Sequence, residues 1–413
     1  MSAKCCHQKA SVPEDTSSSE VADIFRLYGD EYRSIYSPSF EQLKVMHLIE
    51  ICRTKALGGH NEKCNHCGYE QISYNSCRNR HCPKCRTMAK ERWLNDRKAE
   101  LLPIGYFHSV FTLPHDLNPI ILCNEKILLD LLFQAVNETL QAFAKDPQWR
   151  LMGQLGFIAV LHTWSQTMMD HFHLHCLIPG GVLSFDKKQW IPARTNFLFK
   201  VVSLAKEFRK RYLSKLQVAY DGNDLIFPGN TAESGTPEGF ARLVEELENK
   251  KWVAYAKRPF AGPAQVLEYL GRYTHRVAIS NHRIVSIDDG KVQFSYKDRA
   301  DDDQIKYMTV TAVEFIRRFL LHILPDRFMK IRYFGFLYHR GKRKNIELIR
   351  TLIDPTAGYA QKIEETVQEI MLRVTGEDIT LCPRCKKGHM IRSGEIPGTP
   401  IIYPGDRRPM DSS

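Results

Sequence analysis

The sequence predicts an α+β protein in which a mainly antiparallel sheet is flanked by helices and preceded by a small zinc-binding module. Two observations predict this fold. Strand-like segments follow one another over short connections and alternate with amphipathic helical segments, which is typical of α+β proteins. Two closely spaced pairs of cysteines near the N-terminus have the spacing of a metal-binding module.

Length and composition restrict the classes of function. The chain has 413 residues and a formal net charge of +11, which favours a polyanionic partner such as nucleic acid. No apolar run approaches the roughly 18 residues that a membrane span needs, and the N-terminus lacks the apolar segment of a signal peptide. We therefore expect a cytoplasmic protein with no membrane partner, in which paired cysteines indicate a metal ion and not a disulfide.

The chain divides into four predicted regions. Residues 1–38 begin with a polar, serine-rich stretch and are expected to be a disordered tail. Residues 39–100 hold a helix, the cysteine pairs and a basic helix, which predicts a zinc-binding, DNA-binding module. Residues 101–345 alternate between strands and helices and form the predicted catalytic domain. Residues 346–413 comprise a helix, another cysteine pair and a flexible Pro/Gly-rich end.

Apolar periodicity indicates the individual elements. The predicted helices cover residues 40–57, 86–102, 124–145, 197–217, 237–250 and a segment that starts near residue 263. The predicted strands cover residues 106–113, 157–164, 171–178, 182–185, 283–287, 291–296 and 306–310.

The first metal site is predicted from two Cys-x2-Cys pairs, Cys64 with Cys67 and Cys82 with Cys85, which fourteen residues separate. Each pair forms a tight turn that can direct two thiolates at one point, so the four cysteines predict one tetrahedral zinc site. Four neighbouring residues remain alternative ligands, and a second metal ion is conceivable. These alternatives are His60, His66, Cys77 and His81.

Basic residues are concentrated in and after the cysteine pairs. A run of charge is commonly a solvated face, but beside a zinc module it favours a surface that contacts DNA phosphates. The candidates are Arg78, Arg80, Lys84 and Arg86.

A further cysteine pair lies near the C-terminus. Cys382 and Cys385, with His389 close behind, form a knuckle that could bind zinc weakly or complete a site with the N-terminal part of the chain.

A third candidate metal site lies in the segment HFHLHCLIPGG, residues 171–181. Side chains alternate along a strand, so His171, His173 and His175 share one face while Phe172 and Leu174 take the apolar one. Imidazoles at this period lie roughly 7 Å apart, close enough for two to hold one metal ion. A structural histidine normally occurs alone, so three on one face favour a shared cation or a shared anionic ligand.

Tyr269 and Tyr273 lie four residues apart in a predicted helix and therefore share one of its faces. By themselves they are typical of core aromatics. The neighbouring Arg272 and Arg276, and the histidine strand elsewhere, favour a reaction instead. A cation held by histidines would polarise a phosphate, and a phenol would attack it and become joined to DNA.

Three motifs in this order resemble the insertion-sequence-91 family of HUH-type rolling-circle transposases. They are SYNSCRNRHCPKC (73–85), HFHLHCLIPGG (171–181) and YLGRYTHRVAISN (269–281). With FTLPH (111–115) and RYFGFL (332–337), the resemblance covers roughly residues 40–345.

The resemblance implies an HUH endonuclease-like sheet and a transposase that nicks single-stranded DNA at element ends. It implies a 5′-phosphotyrosine intermediate, strand transfer to target DNA, structural Zn²⁺, catalytic Mg²⁺ or Mn²⁺, and a bacterial, nucleoid-associated enzyme. His173 and His175 match the family's metal pair, and Tyr269 and Tyr273 match its nucleophile positions. His162 and His171 are both candidates for a third metal ligand.

Other functions stay open at this stage. A plasmid replication initiator or relaxase would share the chemistry, although the zinc module ahead of the catalytic domain favours the transposase. A non-catalytic zinc-dependent DNA-binding protein would bind without cutting, and a metallohydrolase would cut with an activated water.

Overall fold

The computed structural model describes residues 19–194, 198–260, 265–266, 271, 277–298, 301–356, 364–401 and 403. Helices and antiparallel sheets alternate along these residues, which confirms the predicted α+β class. In the part of the chain so described, no helix combines the length and the apolar character that a membrane span requires.

The helices and strands are numbered in chain order. The helices are α1 (Val21–Ile35), α2 (Phe40–Glu50), α3 (Arg86–Lys98), α4 (Asn118–Cys123), α5 (Glu125–Lys145), α6 (Val201–Asp221), α7 (Pro237–Asn249), α8 (Ala312–Leu320), α9 (Lys342–Ile353) and α10 (Val367–Thr375). The strands are β1 (Gly59–Cys64), β2 (Glu70–Tyr74), β3 (Tyr106–Thr112), β4 (Gly153–Gln154), β5 (Phe157–Trp164), β6 (Asp170–Pro179), β7 (Gly181–Ser184), β8 (Trp190–Pro192), β9 (Val253–Phe260), β10 (Ile284–Asp288), β11 (Lys291–Asp298), β12 (Gln304–Thr311), β13 (Ile331–Phe334) and β14 (Met390–Ile396).

The centre of the molecule is an antiparallel sheet with the strand order β13-β5-β6-β3-β9. Strands β5 and β6 form a hairpin in which His162 lies opposite His173 and Val160 lies opposite His175. Every residue of β5 is buried, because both faces of the sheet are covered. The central strands therefore form a rigid base on which side chains can be held in fixed positions.

The two faces of the central sheet have different roles. One face packs Phe111, Leu161 and Leu174 against α5 and α6 to form the largest apolar core. The other face carries Val160 and Leu177, which belong to a smaller cluster with α9. The strand period of two places the histidines of β5 and β6 on this second face.

Helix α1 lies within the segment that was predicted to be disordered, and that prediction is wrong for the described residues 19–38. Buried Phe25 packs edge-to-face on Phe319 of α8, with ring centroids 5.3 Å apart. Val21, Ile24 and Tyr32 are also buried, and together with Phe25 they line one face of the helix. The prediction of disorder extended the polar composition of the first 20 residues to this amphipathic stretch.

The C-terminal strand joins the N-terminal cysteine module. Strand β14 pairs antiparallel with β1, so that Gly59 lies opposite Ile396 and Cys64 lies opposite Met390. On its other edge β1 pairs with β2. The C-terminal region, predicted as a separate unit, thus completes a three-stranded sheet that begins near residue 59.

Candidate functional site

The thiols predicted to share one zinc site lie in two clusters. We call Cys52, Cys77, Cys82 and Cys85 the inner cluster. We call Cys64, Cys67, Cys382 and Cys385 the outer cluster. The prediction of a single site from Cys64, Cys67, Cys82 and Cys85 is therefore wrong. Its physical reason is the β1–β2 hairpin, which places the first cysteine pair at its tip, whereas the second pair precedes α3.

The inner cluster has the dimensions of a tetrahedral zinc site. The sulfur of Cys52 lies 3.6 Å from those of Cys82 and Cys85, and Cys77 lies 3.6 Å from Cys85. Four sulfurs at the usual Zn–S distance of about 2.3 Å would be about 3.8 Å apart, whereas a disulfide needs about 2.0 Å. Hydrogen bonds among the four thiols lower the pKa of Cys52 and Cys85 and raise the pKa of Cys77 and Cys82, so the four sulfurs interact as one group.

Sequence reasoning missed Cys52 and kept Cys77 only as an alternative. Cys52 follows α2 as a single cysteine, and its position matches the apolar period of that helix. The spacing Cys77-x4-Cys82-x2-Cys85 could have indicated that Cys77 is a ligand, since it places three thiols within nine residues.

The remaining alternative ligands lie outside both thiol clusters. His60 Nε2 is 3.0 Å from a carboxylate oxygen of Glu62. His81 is partly exposed and accepts a hydrogen bond from Arg80 Nε at 3.2 Å, and desolvation lowers its pKa well below the usual histidine value. His389 Nδ1 is 3.1 Å from the Thr380 hydroxyl, so the predicted C-terminal knuckle contributes its two cysteines and not this histidine.

The structure brings His162, His173 and His175 together on the second face of the central sheet. Each offers a ring nitrogen, and these nitrogens all lie within 4.8 Å of one another. All three side chains are buried, with exposed fractions of 3%, 8% and 8%. We call this set the histidine cluster. Between the two candidates for third member, the geometry selects His162, because β5 places it directly opposite His173.

Hydrogen bonds orient two of these imidazoles. His173 Nδ1 donates to the backbone carbonyl of His171 at 2.7 Å, which leaves Nε2 as the coordinating nitrogen. His175 Nδ1 lies 2.9 Å from Nε2 of buried His108 on β3, an interaction that sequence reasoning missed. The alternation of β3 was the available signal, because it places His108 on the same face as Val110, the cross-strand neighbour of His175.

His171 has a different position from its two neighbours on β6. Its ring lies at the edge of the cluster, with its centroid 4.6 Å from that of His173 and 5.3 Å from that of His115. Its backbone carbonyl accepts the hydrogen bond from His173 Nδ1. Trp164 supports the third member by stacking on His162 at 5.2 Å.

A cavity of about 390 Å³ opens beside the histidine cluster. The histidines form one wall, and the end of β11 forms the other with Tyr296, Lys297 and Asp298. The turn between β5 and β6 contributes Ser165, Gln166 and Thr167. The sheet thus covers one side of the histidine cluster, and the other side faces a cavity that is large enough for a short segment of a polymeric ligand.

The predicted basic surface is smaller than the sequence indicated. The Arg80 guanidinium donates to the backbone carbonyls of Leu324, Pro325 and Phe328 at 2.8–2.9 Å. Its hydrogen bonds are thus made within the protein, and the prediction that Arg80 contacts DNA phosphates is wrong. Lys84 pairs with Glu20. Two of the four candidates thus hold the module to the rest of the chain.

The other two basic candidates differ in their surroundings. Burial lowers the pKa of Arg86 to about 10, as expected for a guanidinium that is largely withdrawn from water. Arg78 is exposed and has a positive φ of 53° in the irregular stretch after β2. Arg78 is therefore the candidate best placed to contact a phosphate.

The predicted nucleophiles Tyr269 and Tyr273, with Arg272 and Arg276, lie outside the described residues. Of residues 261–276, only Gln265, Val266 and Gly271 are described. Val266 is fully buried in the apolar cluster of the second sheet face, with Val160 and Leu177. At Gly271 an added Cβ would lie 2.9 Å from Leu94 of α3.

Comparison with known proteins gives consistent matches over most of the chain. The family described as "Transposase zinc-binding domain" matches residues 24–113, and the family described as "Putative transposase" matches residues 156–345. The chain is 47% identical to "Putative transposase y4qJ" of Sinorhizobium fredii (strain NBRC 101917 / NGR234) over 379 residues, 91% of this chain and 95% of that protein.

A second relative is more distant. The chain is 28% identical to "Transposase for insertion sequence element IS801" of Pseudomonas savastanoi pv. phaseolicola over 306 residues, 72% of this chain and 71% of the relative. No solved structure matches the chain.

Proposed function

Because the chain belongs to the insertion-sequence-91 family of transposases, we propose that it nicks single-stranded DNA at element ends with a tyrosine and transfers the strand by a rolling-circle route. Its partners would be the element ends and a target DNA in the bacterial nucleoid. The observation that carries the proposal is the histidine cluster, which joins three buried imidazoles to an open cavity.

The histidine cluster fits a divalent cation. Three ring nitrogens within 4.8 Å of one another, two of them oriented by hydrogen bonds from the opposite side of the ring, are typical of a metal site. The cation would polarise the scissile phosphate and stabilise its developing negative charge. Imidazole ligands favour Mn²⁺ over Mg²⁺, because Mg²⁺ prefers oxygen ligands.

The residues of the chain then have distinct roles. His162, His173 and His175 would hold the divalent cation, and the phenol of Tyr269 or Tyr273 attacks the phosphorus. The bond from phosphorus to the tyrosine oxygen forms as the bond from phosphorus to the 3′ oxygen breaks. The phenol loses its proton and the released 3′ oxygen gains one. A 3′ hydroxyl of target DNA reverses the exchange and joins the strand.

Two described residues support the assignment of the tyrosines. Val266 and Gly271 precede and follow Tyr269 in the sequence, and Val266 packs on the face of the sheet that carries the histidines. The described Val266 therefore lies on the same sheet face as the histidine cluster. A tyrosine four residues from another would allow two strands to be handled in turn.

The DNA would be held from both walls of the cavity. Lys297 on β11 lines it and provides a positive charge for the backbone phosphates, and Tyr296 offers an aromatic face on which a base can stack. Arg78 on the cysteine module, together with Arg272 and Arg276, would contact phosphates farther along the strand. The inner cluster would hold the structural Zn²⁺ of the module, since all four of its thiols lie within the matched zinc-binding range.

The experiment is a cleavage assay on single-stranded DNA that carries an element end, labelled on the 3′ side of the cut. Purified protein with Mn²⁺ should give a labelled band at the size of the protein on a denaturing gel, because the 5′ end of the downstream fragment is joined to tyrosine. The Tyr269→Phe/Tyr273→Phe variant should lose this band.

Tyr296→Phe is the matched control, since it removes a phenol that lines the same cavity. It should retain the covalent band. Cleavage by wild-type protein without any covalent band would contradict the tyrosine mechanism and support hydrolysis by water. Binding without cleavage under Mn²⁺ would support a non-catalytic DNA-binding protein.

A further inference from the structure

The outer cluster combines two thiols from each end of the chain. We propose that Cys64, Cys67, Cys382 and Cys385 form a second structural zinc site that fastens the C-terminal segment to the N-terminal module. The matched zinc-binding range ends at residue 113 and the matched transposase range at residue 345. Half of the ligands of this site therefore come from a part of the chain that neither match covers.

The distances between the sulfurs fit zinc and exclude disulfides. Cys64 Sγ is 3.7 Å from Cys385 Sγ, and Cys67 Sγ is 3.7 Å from Cys382 Sγ. A tetrahedron with Zn–S bonds of about 2.3 Å has edges of about 3.8 Å. A disulfide would need about 2.0 Å. Each short distance joins one cysteine pair to the other, although 321 and 315 positions separate the partners in the sequence.

The two cysteine pairs are built alike. In each, the residue directly after the second cysteine adopts a left-handed conformation, with φ of 70° at Gly68 and 55° at Lys386. Backbone N–H groups then turn towards a thiol: those of His66 and Cys67 donate to Cys64 Sγ, and that of Gly388 donates to Cys385 Sγ, each at 3.4 Å. Such N–H groups stabilise thiolates, the form that binds zinc.

The backbone around the cluster holds the two pairs together. Asn65 N–H donates to the His389 carbonyl at 3.1 Å, and His389 N–H donates to the Asn65 side-chain oxygen at 2.8 Å. Gly388 permits the close approach, because an added Cβ there would lie 2.6 Å from Cys64 Sγ. The site is thus preformed on both sides by the pairing of β14 with β1.

The site would explain how a short C-terminal strand stays attached. β14 lies at the edge of a small sheet, and much of its surface is exposed. A small sheet has little apolar burial to stabilise it, and small domains commonly compensate with a structural metal ion. Zinc bound at the outer cluster would fix the start of β14 beside the end of β1.

The test is the zinc content of the full-length protein, measured by native mass spectrometry. Wild-type protein should carry two zinc ions per chain. The Cys382→Ser/Cys385→Ser variant should carry one, and it should be cleaved faster by protease between α10 and β14. Cys123→Ser, which removes a partly buried thiol outside both clusters, is the matched control and should carry two.

A milder variant covers the case in which the double variant does not fold. Gly388→Ala keeps all four thiols but places a methyl group against Cys64, so it should lose one zinc ion to a chelator sooner than wild type does. One zinc ion in wild-type protein, or two in the Cys382→Ser/Cys385→Ser variant, would overturn the proposal. Unchanged zinc release in Gly388→Ala would also count against it.

Discussion

The inner cluster and the histidine cluster are both suited to a metal ion, but they differ in ligand number and in access. The inner cluster offers four thiols with sulfur–sulfur distances of 3.6 Å and is packed among the apolar side chains of α1, α2 and α8. The histidine cluster offers three nitrogens and faces a cavity. A closed set of four ligands is typical of structural zinc, whereas three ligands with an open position are typical of catalysis.

This difference indicates that a metal ion in the inner cluster and one in the histidine cluster would have different roles, the first in folding and the second in the reaction. The inner cluster closes long loops between α2, β2 and α3, so a metal ion there would contribute to folding. The histidine cluster stands on strands that are already buried on both faces, so a metal ion there would contribute little to folding and much to the reaction. Four predictions follow from this comparison, from the largest expected effect to the smallest.

Loss of one inner thiol should unfold the module. Cys82→Ser is expected to lower the free energy of unfolding by more than about 5 kcal/mol, because structural zinc contributes on the order of 10 kcal/mol to small metal-dependent domains. Thermal unfolding monitored by circular dichroism measures the effect, and Cys123→Ser is the control. An unchanged melting temperature in Cys82→Ser would mean that the inner cluster does not hold the fold together.

Loss of a histidine ligand should abolish cleavage but not folding. His173→Ala is expected to reduce DNA nicking by about 1,000-fold, which corresponds to about 4 kcal/mol of transition-state stabilisation. Its melting temperature should stay within a few degrees of wild type. His171→Ala removes an imidazole from the edge of the cluster on the same strand and should keep most of the activity. Equal losses in both variants would contradict the ligand assignment.

His108 should act as a positioning residue through His175. His108→Phe removes the hydrogen bond to His175 Nδ1 and is expected to lower nicking by about 10- to 100-fold, with a matching rise in the Mn²⁺ concentration at half-maximal rate. His108→Gln can restore a hydrogen bond and should recover part of the loss. A lower rate at an unchanged Mn²⁺ requirement would indicate that His108 only supports packing.

His322 is a buried histidine outside the histidine cluster, and both of its ring nitrogens have hydrogen-bond partners within the protein. Its Nε2 donates to the Met168 carbonyl at 3.0 Å, and its Nδ1 accepts from the Thr163 hydroxyl at 3.2 Å. Burial lowers its pKa to about 4, while the unfolded chain binds the proton near pH 6.5. The contribution of neutral His322 is therefore complete above pH 6.5 and is lost as the pH falls towards 4.

The expected loss is about 1 kcal/mol of unfolding free energy between pH 7 and pH 5.5. Urea unfolding of wild type and His322→Gln at both pH values measures it, and the variant should lose less stability than wild type over this interval. Parallel losses in the two proteins would show that His322 does not titrate as proposed.

Strand periodicity predicted the faces of the central sheet well. The alternation in β6 placed His173 and His175 on one face, and the structure brings both into one cluster. The choice between His162 and His171 needed the register of the β5–β6 hairpin, which depends on the length of its turn and not on either strand alone. His108 was missed for the same reason, since its role depends on the pairing of β3 with β6.

The thiol clusters were predicted less well. Spacing correctly indicated cysteine pairs, but it could not show which pairs meet, because a pair binds equally well with any second pair that the fold supplies. Cys382 and Cys385 meet Cys64 and Cys67 only because β14 returns to β1. Cys52 gave no local signal, since a single cysteine after a helix is also typical of a core position.

The most direct test of the distinction between the inner cluster and the histidine cluster is to remove the metal ion proposed for the histidine cluster while the structural zinc stays bound. Wild-type protein treated briefly with a chelator should keep its zinc and its melting temperature, lose nicking of single-stranded DNA, and regain it on addition of Mn²⁺. The His173→Ala variant should not regain nicking at any Mn²⁺ concentration. Nicking that survives without exchangeable metal, or that disappears only together with the bound zinc, would contradict the assignment of the histidine cluster as the catalytic metal site.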